Sequence, residues 1–391
     1  MNIRIIRGTH QIGGSAIEIT TKKARIFLDF GEELGEEPKE LVVDGVNNGT
    51  SNCDAVFFSH SHGDHIGLAH TINDDIPLYL GVDAKEIYKI FIKRIGRNSK
   101  ISLDRVEGIK TYKANEPVII KDIKVTPYYI DHSAYDSYMF LIEADNKKIL
   151  YTGDFRGHGF FSKALEPMIK KHIGKVDAII IEGTTLNRSN EKSKTETEIE
   201  NEIKKVVDNN KYVYMIVAST NIHRIAGAYQ SVKKQGKYFL VDSKYQIEIL
   251  SYVKEKHTKD SSLYDIKKIT VYGKNLDEKI KRQGFLMIGG MKKQNLDIIK
   301  KFPDIKIIYS MWDGYLDENR ISDDARLYRD NYNLIHIHTS GHADRETLKK
   351  VIDITNPDKI IPIHTEAREE YKKMAKENKC VIMNDGEVIE I

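Results

Sequence analysis

The chain is poor in cysteine and has no long apolar run. Cys53 and Cys380 are its two cysteines and lie far apart in the sequence, which excludes a disulfide framework or a cysteine-rich zinc knuckle as the organising feature. No apolar run approaches the ~20 residues that a membrane-spanning helix requires. The N-terminus also lacks the apolar segment of a signal peptide. We therefore expect a cytoplasmic protein with no membrane partner.

The charge is also small for the length of the chain. The net charge is +3 over 391 residues, which does not mark a nucleic-acid-binding protein, because such binding depends on a local basic surface and not on the total. A chain of this length is long for a single hydrophobic core, so about two or three domains are expected.

A dense group of histidines is the most informative motif. The segment His60-Ser61-His62-Gly63-Asp64-His65 follows an apolar run, Ala55–Phe58, that predicts a buried strand. Imidazole and carboxylate groups are the ligands that Zn²⁺ takes when no thiolates are offered. The alternative is a polar loop with chance histidines. Similar residues recur downstream in the same context, which favours a metal site.

Five later apolar runs end in the same way, each followed by a residue with metal-ligand or catalytic chemistry. They are Lys124–Ile130 before His132, Lys148–Tyr151 before Asp154, Ala178–Ile181 before Glu182, Leu334–Ile337 before the segment His338–His342, and Lys359–Ile363 before His364. Strand ends along one edge of a sheet converge in space, so we expect these residues to meet.

Between Glu182 and Leu334 the pattern changes to alternating strands and helices. The capping-box pattern Thr195-x-x-Glu198 predicts the start of a helix. The segments Tyr212–Val217, Ile222–Lys234 and Lys237–Val241 then predict a strand, a helix and a strand, which is typical of a parallel α/β unit. We predict a first domain over residues 1–190, an inserted domain over 191–334, and the second part of the first domain over 335–391.

Seven residues are candidate metal ligands: His60, His62, Asp64, His65, His132, Asp154 and His364. Two Zn²⁺ ions suit this number better than one, and Mn²⁺ is an alternative. The predicted division puts His60, His62 and His132 on one ion, puts Asp64, His65 and His364 on the other, and makes Asp154 the bridge. Two ions about 3.5–4 Å apart can share a hydroxide and clamp a phosphodiester. Taken singly, His132, Asp154 and His364 could each be an ordinary loop or strand-end residue.

These motifs resemble the four ligand-bearing motifs of the metallo-β-lactamase superfamily, an αββα sandwich with metals at one edge. The inserted domain, the segment His338–Ala343 and the segment Pro362–Glu366 resemble the β-CASP nucleases and, within them, the ribonuclease J family. The resemblance implies the fold class: an α/β protein in which a metallo-β-lactamase αββα sandwich carries an inserted α/β β-CASP domain.

The resemblance also implies roles for single residues. Glu182 matches an acidic residue near the metals, His342 a histidine near the scissile phosphate, and His364 a metal ligand. A histidine at this last position goes with RNA substrates, whereas the DNA-repair branch has valine. The predicted catalytic residues are therefore Asp64, Glu182 and His342. A scaffold for a ligand histidine is the equal alternative for Glu182.

The implied function is hydrolysis of RNA phosphodiester bonds by a hydroxide activated by two metals, with endonuclease or 5′–3′ exonuclease action or both. Single-stranded RNA is the expected partner. The predicted phosphate-binding residues are Ser133, Ser137, Ser340 and His342. Arg188 and Arg224 are expected to contact the RNA backbone. Three alternatives stay open: hydrolysis of a small ester or thioester, cleavage of DNA, and an inactive RNA-binding scaffold.

Two departures from the ribonuclease J family are visible. The chain ends at Ile391, soon after His364, so the C-terminal domain that supports dimerisation in that family is expected to be absent, although a homodimer remains an option. The later part of the insert, including the segment Met311–Tyr315, also differs from the family pattern.

Overall fold

The structure is a computed structural model that describes residues 1–35, 38–188, 193–273, 276–375 and 379–391. The chain divides into two compact units. The first comprises Met1–Gly157, Phe161–Lys192 and Gly341–Ile391, and the second comprises His158–Phe160 and Ser193–Ser340. The predicted boundary between residues 190 and 191 lies outside the described residues, and the one between 334 and 335 falls inside a strand, Leu334–His336.

The strands of the first unit are β1 (Asn2–Arg7), β2 (Ala16–Thr20), β3 (Arg25–Phe30), β4 (Ala55–Phe57), β5 (Leu78–Gly81), β6 (Lys110–Tyr112), β7 (Val118–Ile120), β8 (Ile123–Ile130), β9 (Ser137–Ala144), β10 (Lys147–Tyr151), β11 (Ala178–Glu182), β18 (Lys359–Ile363) and β19 (Val388–Glu390). Its α-helices are α1 (Gly63–Ile66), α2 (Val82–Ile95), α3 (Leu103–Gly108), α4 (Leu165–Met168), α11 (Arg345–Thr355) and α12 (Glu370–Met374). Short 3₁₀ turns over Gly96–Asn98 and Ser162–Ala164 and a π-helical turn over Ile169–Ile173 complete the unit.

These strands form two mixed sheets. The first has the order β19-β1-β2-β3-β4-β5-β6, and the second has the order β18-β11-β10-β9-β8-β7. One hydrophobic core lies between the sheets, with Ile17 and Phe57 from the first sheet and Phe140 and Ile180 from the second, all fully buried. A second core covers the outer face of the first sheet under α2. A third covers the outer face of the second sheet under α4, α11 and α12. The layers are therefore those of an αββα sandwich.

The second unit contains the strands β12 (Tyr212–Ile216), β13 (Tyr238–Val241), β14 (Thr270–Val271), β15 (Phe285–Gly289), β16 (Lys306–Tyr309) and β17 (Leu334–His336). Its α-helices are α5 (Glu196–Asn209), α6 (Ile222–Val232), α7 (Lys244–His257), α8 (Asp277–Gln283), α9 (Lys293–Ile299) and α10 (Asp323–Asn331), with 3₁₀ turns over Ser262–Tyr264 and Asp313–Leu316. All strand pairs are parallel, in the order β14-β13-β15-β12-β16-β17. The predicted parallel α/β insert is confirmed.

Local sequence explains why several of these elements form where they do. Thr195 and Glu198 make the predicted capping box, in which each side chain accepts a hydrogen bond from the other residue's backbone N–H, so α5 begins as expected. The hairpin between β9 and β10 turns through Asp145 and Asn146, which have positive φ angles of 50° and 57°. This conformation matches the twist of a two-residue hairpin and suits Asp and Asn. The strand β9 over Ser137–Ala144 is not among the strands named from the sequence, and it is buried at all but one of its positions.

Within the part of the chain that the structure describes, no helix has both the length and the apolar character needed to cross a bilayer. The predicted fold class, a two-layer sandwich flanked by helices with an α/β insert, is confirmed by the two units.

Candidate metal centre

Four of the metal-ligand candidates of the first unit lie just past the ends of its strands. His60 lies just past β4, His132 past β8, Asp154 past β10 and His364 past β18. Asp64 and His65 lie in the short helix α1. The structure brings all seven candidates together into two groups that adjoin one another: His60, His62 and His132 in one, and Asp64, His65, Asp154 and His364 in the other.

The first group consists of three imidazoles. His132 Nε2 lies 3.2 Å from His62 Nδ1. Two nitrogens bound to one tetrahedral zinc, each at 2.0–2.1 Å, are about 3.3 Å apart, so this spacing fits a shared ion. His60 Nε2 is buried and has no hydrogen-bond partner. A buried polar atom without a partner is costly, and a cation would remove that cost.

The second group mixes imidazoles and carboxylates. His65 Nε2 lies 3.1 Å from Asp154 Oδ2, and His364 Nε2 lies 3.2 Å from Asp64 Oδ2. The other oxygen of Asp154, Oδ1, is buried and has no hydrogen-bond partner. One carboxylate oxygen therefore faces the second group while the other is left for a second ion, which fits the predicted bridging role of Asp154.

The electrostatics of both groups favour a cation. Burial lowers the pKa of His60 and His132 well below the usual histidine range, so both imidazoles are neutral and offer a lone pair. Burial also acts to lower the pKa of His65, but the carboxylates of Asp154 and Asp29 outweigh it and raise that pKa well above the usual range. The carboxylates thus attract positive charge, which a proton or a metal ion can supply.

A second set of residues fixes the tautomer and orientation of four of the five candidate ligand histidines. His65 Nδ1 lies 2.7 Å from Asp29 Oδ2, and His132 Nδ1 donates to Gly341 O at 2.7 Å. His364 Nδ1 lies 2.8 Å from Thr184 Oγ1. His60 Nδ1 lies 3.0 Å from Ser59 Oγ. In each case the remaining ring nitrogen, Nε2, is the one directed at the candidate metal.

Asp29 supports the candidate ligands through several contacts and is not among the residues predicted from the sequence. Its carboxylate is fully buried and accepts hydrogen bonds from Ser59 N at 2.6 Å, from Ser59 Oγ at 2.8 Å and from the Tyr151 hydroxyl, in addition to its contact with His65. It has a φ of 58°, a conformation unusual for a residue other than glycine. The available signal was its place directly after an apolar run, like the ligands themselves.

The backbone around the second group is tightly packed. His364 has a φ of 50°, and its backbone N–H donates to Gly8 O at 2.7 Å. A residue other than glycine in this left-handed backbone conformation is strained by about 1–3 kcal/mol, and the conformation persists where surrounding contacts hold it. A Cβ atom on Gly31 would lie 1.7 Å from the carbonyl oxygen of Asp64, so this close approach requires glycine.

Glu182 and His342 lie beside the second group. Glu182 ends β11 and is 1% exposed; its Oε1 accepts from Phe155 N at 3.0 Å, and its Oε2 lies 3.1 Å from His342 Nδ1. Burial acts to lower the pKa of His342, but Glu182 and Asp154 outweigh it and raise that pKa. Glu182 therefore orients His342. Asp154, Glu182, His342 and His364 also form a further group with metal-ligand spacing.

The predicted phosphate contacts have three different environments. Ser133 is half-buried, and its Oγ would lie 2.4 Å from a Cβ atom on Gly341, close to His132. Ser137 departs from the expectation: its side chain is fully buried, and its Oγ donates to Ala134 O at 3.1 Å. Ser340 belongs to the second unit, where its carbonyl oxygen accepts from His158 Nε2 at 2.8 Å.

Arg224 is not placed to contact RNA. It is 1% exposed inside the second unit, where its Nε lies 2.6 Å from Glu196 Oε2 and its Nη1 donates to Ser310 Oγ at 2.6 Å. The prediction that Arg224 contacts a polynucleotide backbone is wrong, because the guanidinium is buried in the core of the unit and is hydrogen-bonded there.

Comparisons with known proteins agree with this arrangement. The family model described as the beta-lactamase superfamily domain matches residues 25–210. The model described as the Zn-dependent metallo-hydrolase RNA specificity domain matches residues 331–382, the region that contains His342 and His364.

Among individual proteins, the chain is 31% identical to "Probable RNase MJ4" of Methanocaldococcus jannaschii. The match covers 39% of this chain and 38% of that relative, which is well under two thirds of the relative's length. It is 23% identical to "Ribonuclease J" of the same organism over 96% of this chain and 94% of the relative. The crystal structure of a protein of unknown function from Enterococcus faecalis V583 covers 99% of both chains with a TM-score of 0.77 and 19% identity, which shows the shared fold.

Proposed function

We propose that the chain is a metal-dependent ribonuclease of the metallo-β-lactamase superfamily, because residues 25–210 match the beta-lactamase superfamily domain, residues 331–382 match the Zn-dependent metallo-hydrolase RNA specificity domain, and the chain is similar along its length to a protein named ribonuclease J. The observation that carries this proposal is the convergence of two adjoining ligand groups with one carboxylate, Asp154, between them. Two neighbouring metal ions are the arrangement used to hydrolyse phosphodiesters.

In this proposal His60, His62 and His132 would hold one ion, Asp64, His65 and His364 would hold the other, and Asp154 would contribute to both. Zn²⁺ suits this nitrogen and oxygen donor set, and Mn²⁺ is the alternative. When bound, the two ions supply a nucleophile at neutral pH and neutralise charge that develops on the phosphate oxygens.

The protein's own residues would then position the phosphate and move a proton. His342, held by Glu182 at 3.1 Å, would donate a hydrogen bond to a non-bridging phosphate oxygen or a proton to the leaving 3′ oxygen. Water adds to phosphorus as the bond to the 3′ oxygen breaks, which leaves a 3′ hydroxyl and a 5′ phosphate. Ser133 and the backbone N–H groups at the start of α11 would hold phosphate oxygens.

RNA is favoured over the other substrate classes for two reasons. The match over residues 331–382 is to an RNA specificity domain, and several similar proteins are named ribonucleases. A small-ester hydrolase would not need the second unit, and an inactive scaffold would lose ligands, whereas all seven candidates are in place here. Cleavage of DNA by the same chemistry is the remaining alternative and is an outcome of the test below.

The test is to digest labelled single-stranded RNA, single-stranded DNA and a generic ester in parallel with the metal-loaded protein. We expect hydrolysis of RNA, and loss of that hydrolysis in His342→Ala by 10²–10⁴-fold, the usual size of a general acid–base contribution, with metal content unchanged. His172→Ala is the matched control, because His172 is an exposed histidine of the first unit. Loss of metal from His342→Ala would instead make His342 a ligand.

The direction of cleavage needs its own measurement. A time course with 5′-labelled RNA, with and without a 5′ monophosphate, separates the two modes. Immediate release of labelled mononucleotide that depends on the 5′ group indicates 5′–3′ exonuclease action. Internal fragments that appear first indicate endonuclease action.

A further inference from the structure

A buried ion pair lies between two of the ligand-bearing loops. Arg156 Nε lies 2.7 Å from Asp131 Oδ1, and the two side chains are 0% and 2% exposed. Asp131 directly precedes the candidate ligand His132, and Arg156 follows the candidate bridging ligand Asp154 by two residues. The pair thus joins the loop after β8 to the loop after β10 at the points where each loop delivers its ligand.

Backbone contacts reinforce the same connection. Arg156 N donates to Asp131 O at 2.8 Å, and Phe161 N donates to Asp131 Oδ2 at 2.9 Å. Asp131 is therefore held by both its backbone and its carboxylate to the chain that follows Asp154. His132 and Asp154 belong to different ligand groups, so this connection sets the relation between the two groups.

Stability alone is a weak explanation for such a pair. Taking two charges out of water costs about as much as their attraction returns, so well-packed apolar residues would often serve the fold equally well. A hydrogen-bonded pair does give directional contacts, and metal binding tolerates deviations of only about 0.2 Å in ligand distance. An ion pair that fixes the positions of two ligand-bearing loops therefore has a role that a non-directional apolar contact would not fulfil.

We propose that Asp131 and Arg156 are positioning residues that hold His132 and Asp154 at the separation needed for both metal ions. The proposal rests on the metal centre of the proposed function. Neither residue needs to touch the substrate, because both act through the ligands that they orient.

The second unit offers a matched control pair. Arg224 Nε lies 2.6 Å from Glu196 Oε2, Arg224 Nη2 lies 2.7 Å from Glu196 Oε1, and each side chain is 1% exposed. Both pairs join a fully buried arginine to a fully buried carboxylate, but the seven candidate ligands all belong to the first unit. Removing either arginine leaves a buried carboxylate, so both changes should weaken the fold.

The experiment is a titration of full-length, metal-free protein with Co²⁺, followed by its visible absorbance bands, which report coordination geometry independently of activity. Wild type, Arg156→Met, Arg156→Lys and Arg224→Met are compared, with thermal unfolding of each recorded in parallel. Arg156→Lys keeps the buried positive charge and so preserves the fold if Arg156→Met does not.

We expect wild type to bind two Co²⁺ ions and both Arg156 variants to bind at least one of them about 10–100-fold more weakly, with altered bands, as is usual when support for a ligand is lost. Arg224→Met should lose thermal stability but keep the wild-type titration. The proposal is overturned if both Arg156 variants titrate like wild type, or if Arg224→Met weakens Co²⁺ binding equally. Failure of wild type to bind Co²⁺ would instead refute the proposed function.

Discussion

Both units of the protein place polar side chains beyond the carboxyl ends of their strands, but they use them differently. In the first unit, His60 Nε2 and Asp154 Oδ1 are buried without hydrogen-bond partners. In the second unit the charged groups at this place pair with one another: Lys292 Nζ lies 2.6 Å from Asp242 Oδ2 beyond β15 and β13.

The end of strand β17 is a third case, which differs both from the strand ends that carry candidate metal ligands and from those that carry paired charges. His338, just past β17, also has a buried ring nitrogen without a partner, and burial together with the nearby Arg224 lowers its pKa to about 4. Among the residues that the structure describes, no group with metal-ligand spacing includes it. The comparison shows that a single buried ring nitrogen without a partner does not make a strand end a candidate metal site. Several ligand atoms must lie close together there.

The change with the largest expected effect is Asp154→Asn, which tests whether the unsatisfied oxygen in the first unit marks a ligand. The amide keeps the shape but loses the charge, so we expect one or both ions to be lost and turnover to fall on the order of 10³-fold. Metal analysis and an RNA cleavage assay measure this. Retention of two ions and full activity would remove the bridging role of Asp154.

Asp29→Asn tests the hydrogen bond that orients the candidate ligand His65, and it should have the next largest effect. The ligand His65 loses a charged hydrogen-bond partner at 2.7 Å, so we expect metal affinity to fall about 10–100-fold. Competition with a metal chelator measures the affinity. Tyr151→Phe is the matched control, since it removes another contact of Asp29 but leaves the one to His65; an equal loss in both variants would contradict a specific role for the His65 contact.

Asp136→Asn examines a polar group of the first unit whose contacts are internal. Asp136 Oδ2 accepts from Asp83 N and Ala84 N, both at 2.9 Å, and its Oδ1 accepts from the Tyr138 hydroxyl at 2.6 Å. Burial raises the pKa of Asp136 to about 6. Because the folded-state pKa is above the unfolded one, its contribution to stability is present below about pH 4 and is lost as the pH rises through about 6.

The asparagine variant does not titrate, so wild type should lose on the order of 2 kcal/mol of unfolding free energy relative to it between pH 4 and pH 7. Urea unfolding of both proteins in the presence of a chelator measures this difference, and Co²⁺ binding should be unchanged. Parallel stability curves across this pH range would show that Asp136 is ionised throughout.

Lys292→Ala tests the paired charges of the second unit and should have the smallest effect. Lys292 is 32% exposed and Asp242 is 9% exposed, so solvent screens the pair and we expect a loss of about 1 kcal/mol or less in stability. Denaturant unfolding measures it, and metal content should not change. Loss of metal from this variant would contradict the distinction between strand ends that carry candidate metal ligands and strand ends that carry paired charges.

The sequence was sufficient to predict which candidate ligands the fold brings together, because metal binding restricts both residue type and context. Each of His60, His132, Asp154 and His364 follows an apolar run, and strand ends meet at one edge of a sheet whatever the length of chain between them. Helix α5 could be predicted for a similar reason, since its capping box depends on two residues three positions apart.

The predictions that are missing or differ from the structure concern residues whose role depends on neighbours that are distant in the sequence. Asp29 has the same local setting as a ligand, yet it contacts His65 and, among the described residues, belongs to no group with metal-ligand spacing. Arg224 has the residue type of an RNA contact, yet it is buried against Glu196 and Ser310. Ser137 stands in a motif with Ser133, but its hydroxyl is turned to a backbone carbonyl. Local sequence does not encode burial or pairing across the fold.

By itself, the sequence determined the classes of element, the two-part organisation and the chemical identity of the ligands, because periodicity and donor chemistry act over a few neighbouring residues. Only the tertiary structure decided which residues orient the candidate ligands and which polar groups neutralise each other. Those outcomes depend on contacts between segments as far apart as His132 and Gly341, 209 positions along the chain, which are set by how the sheets pack.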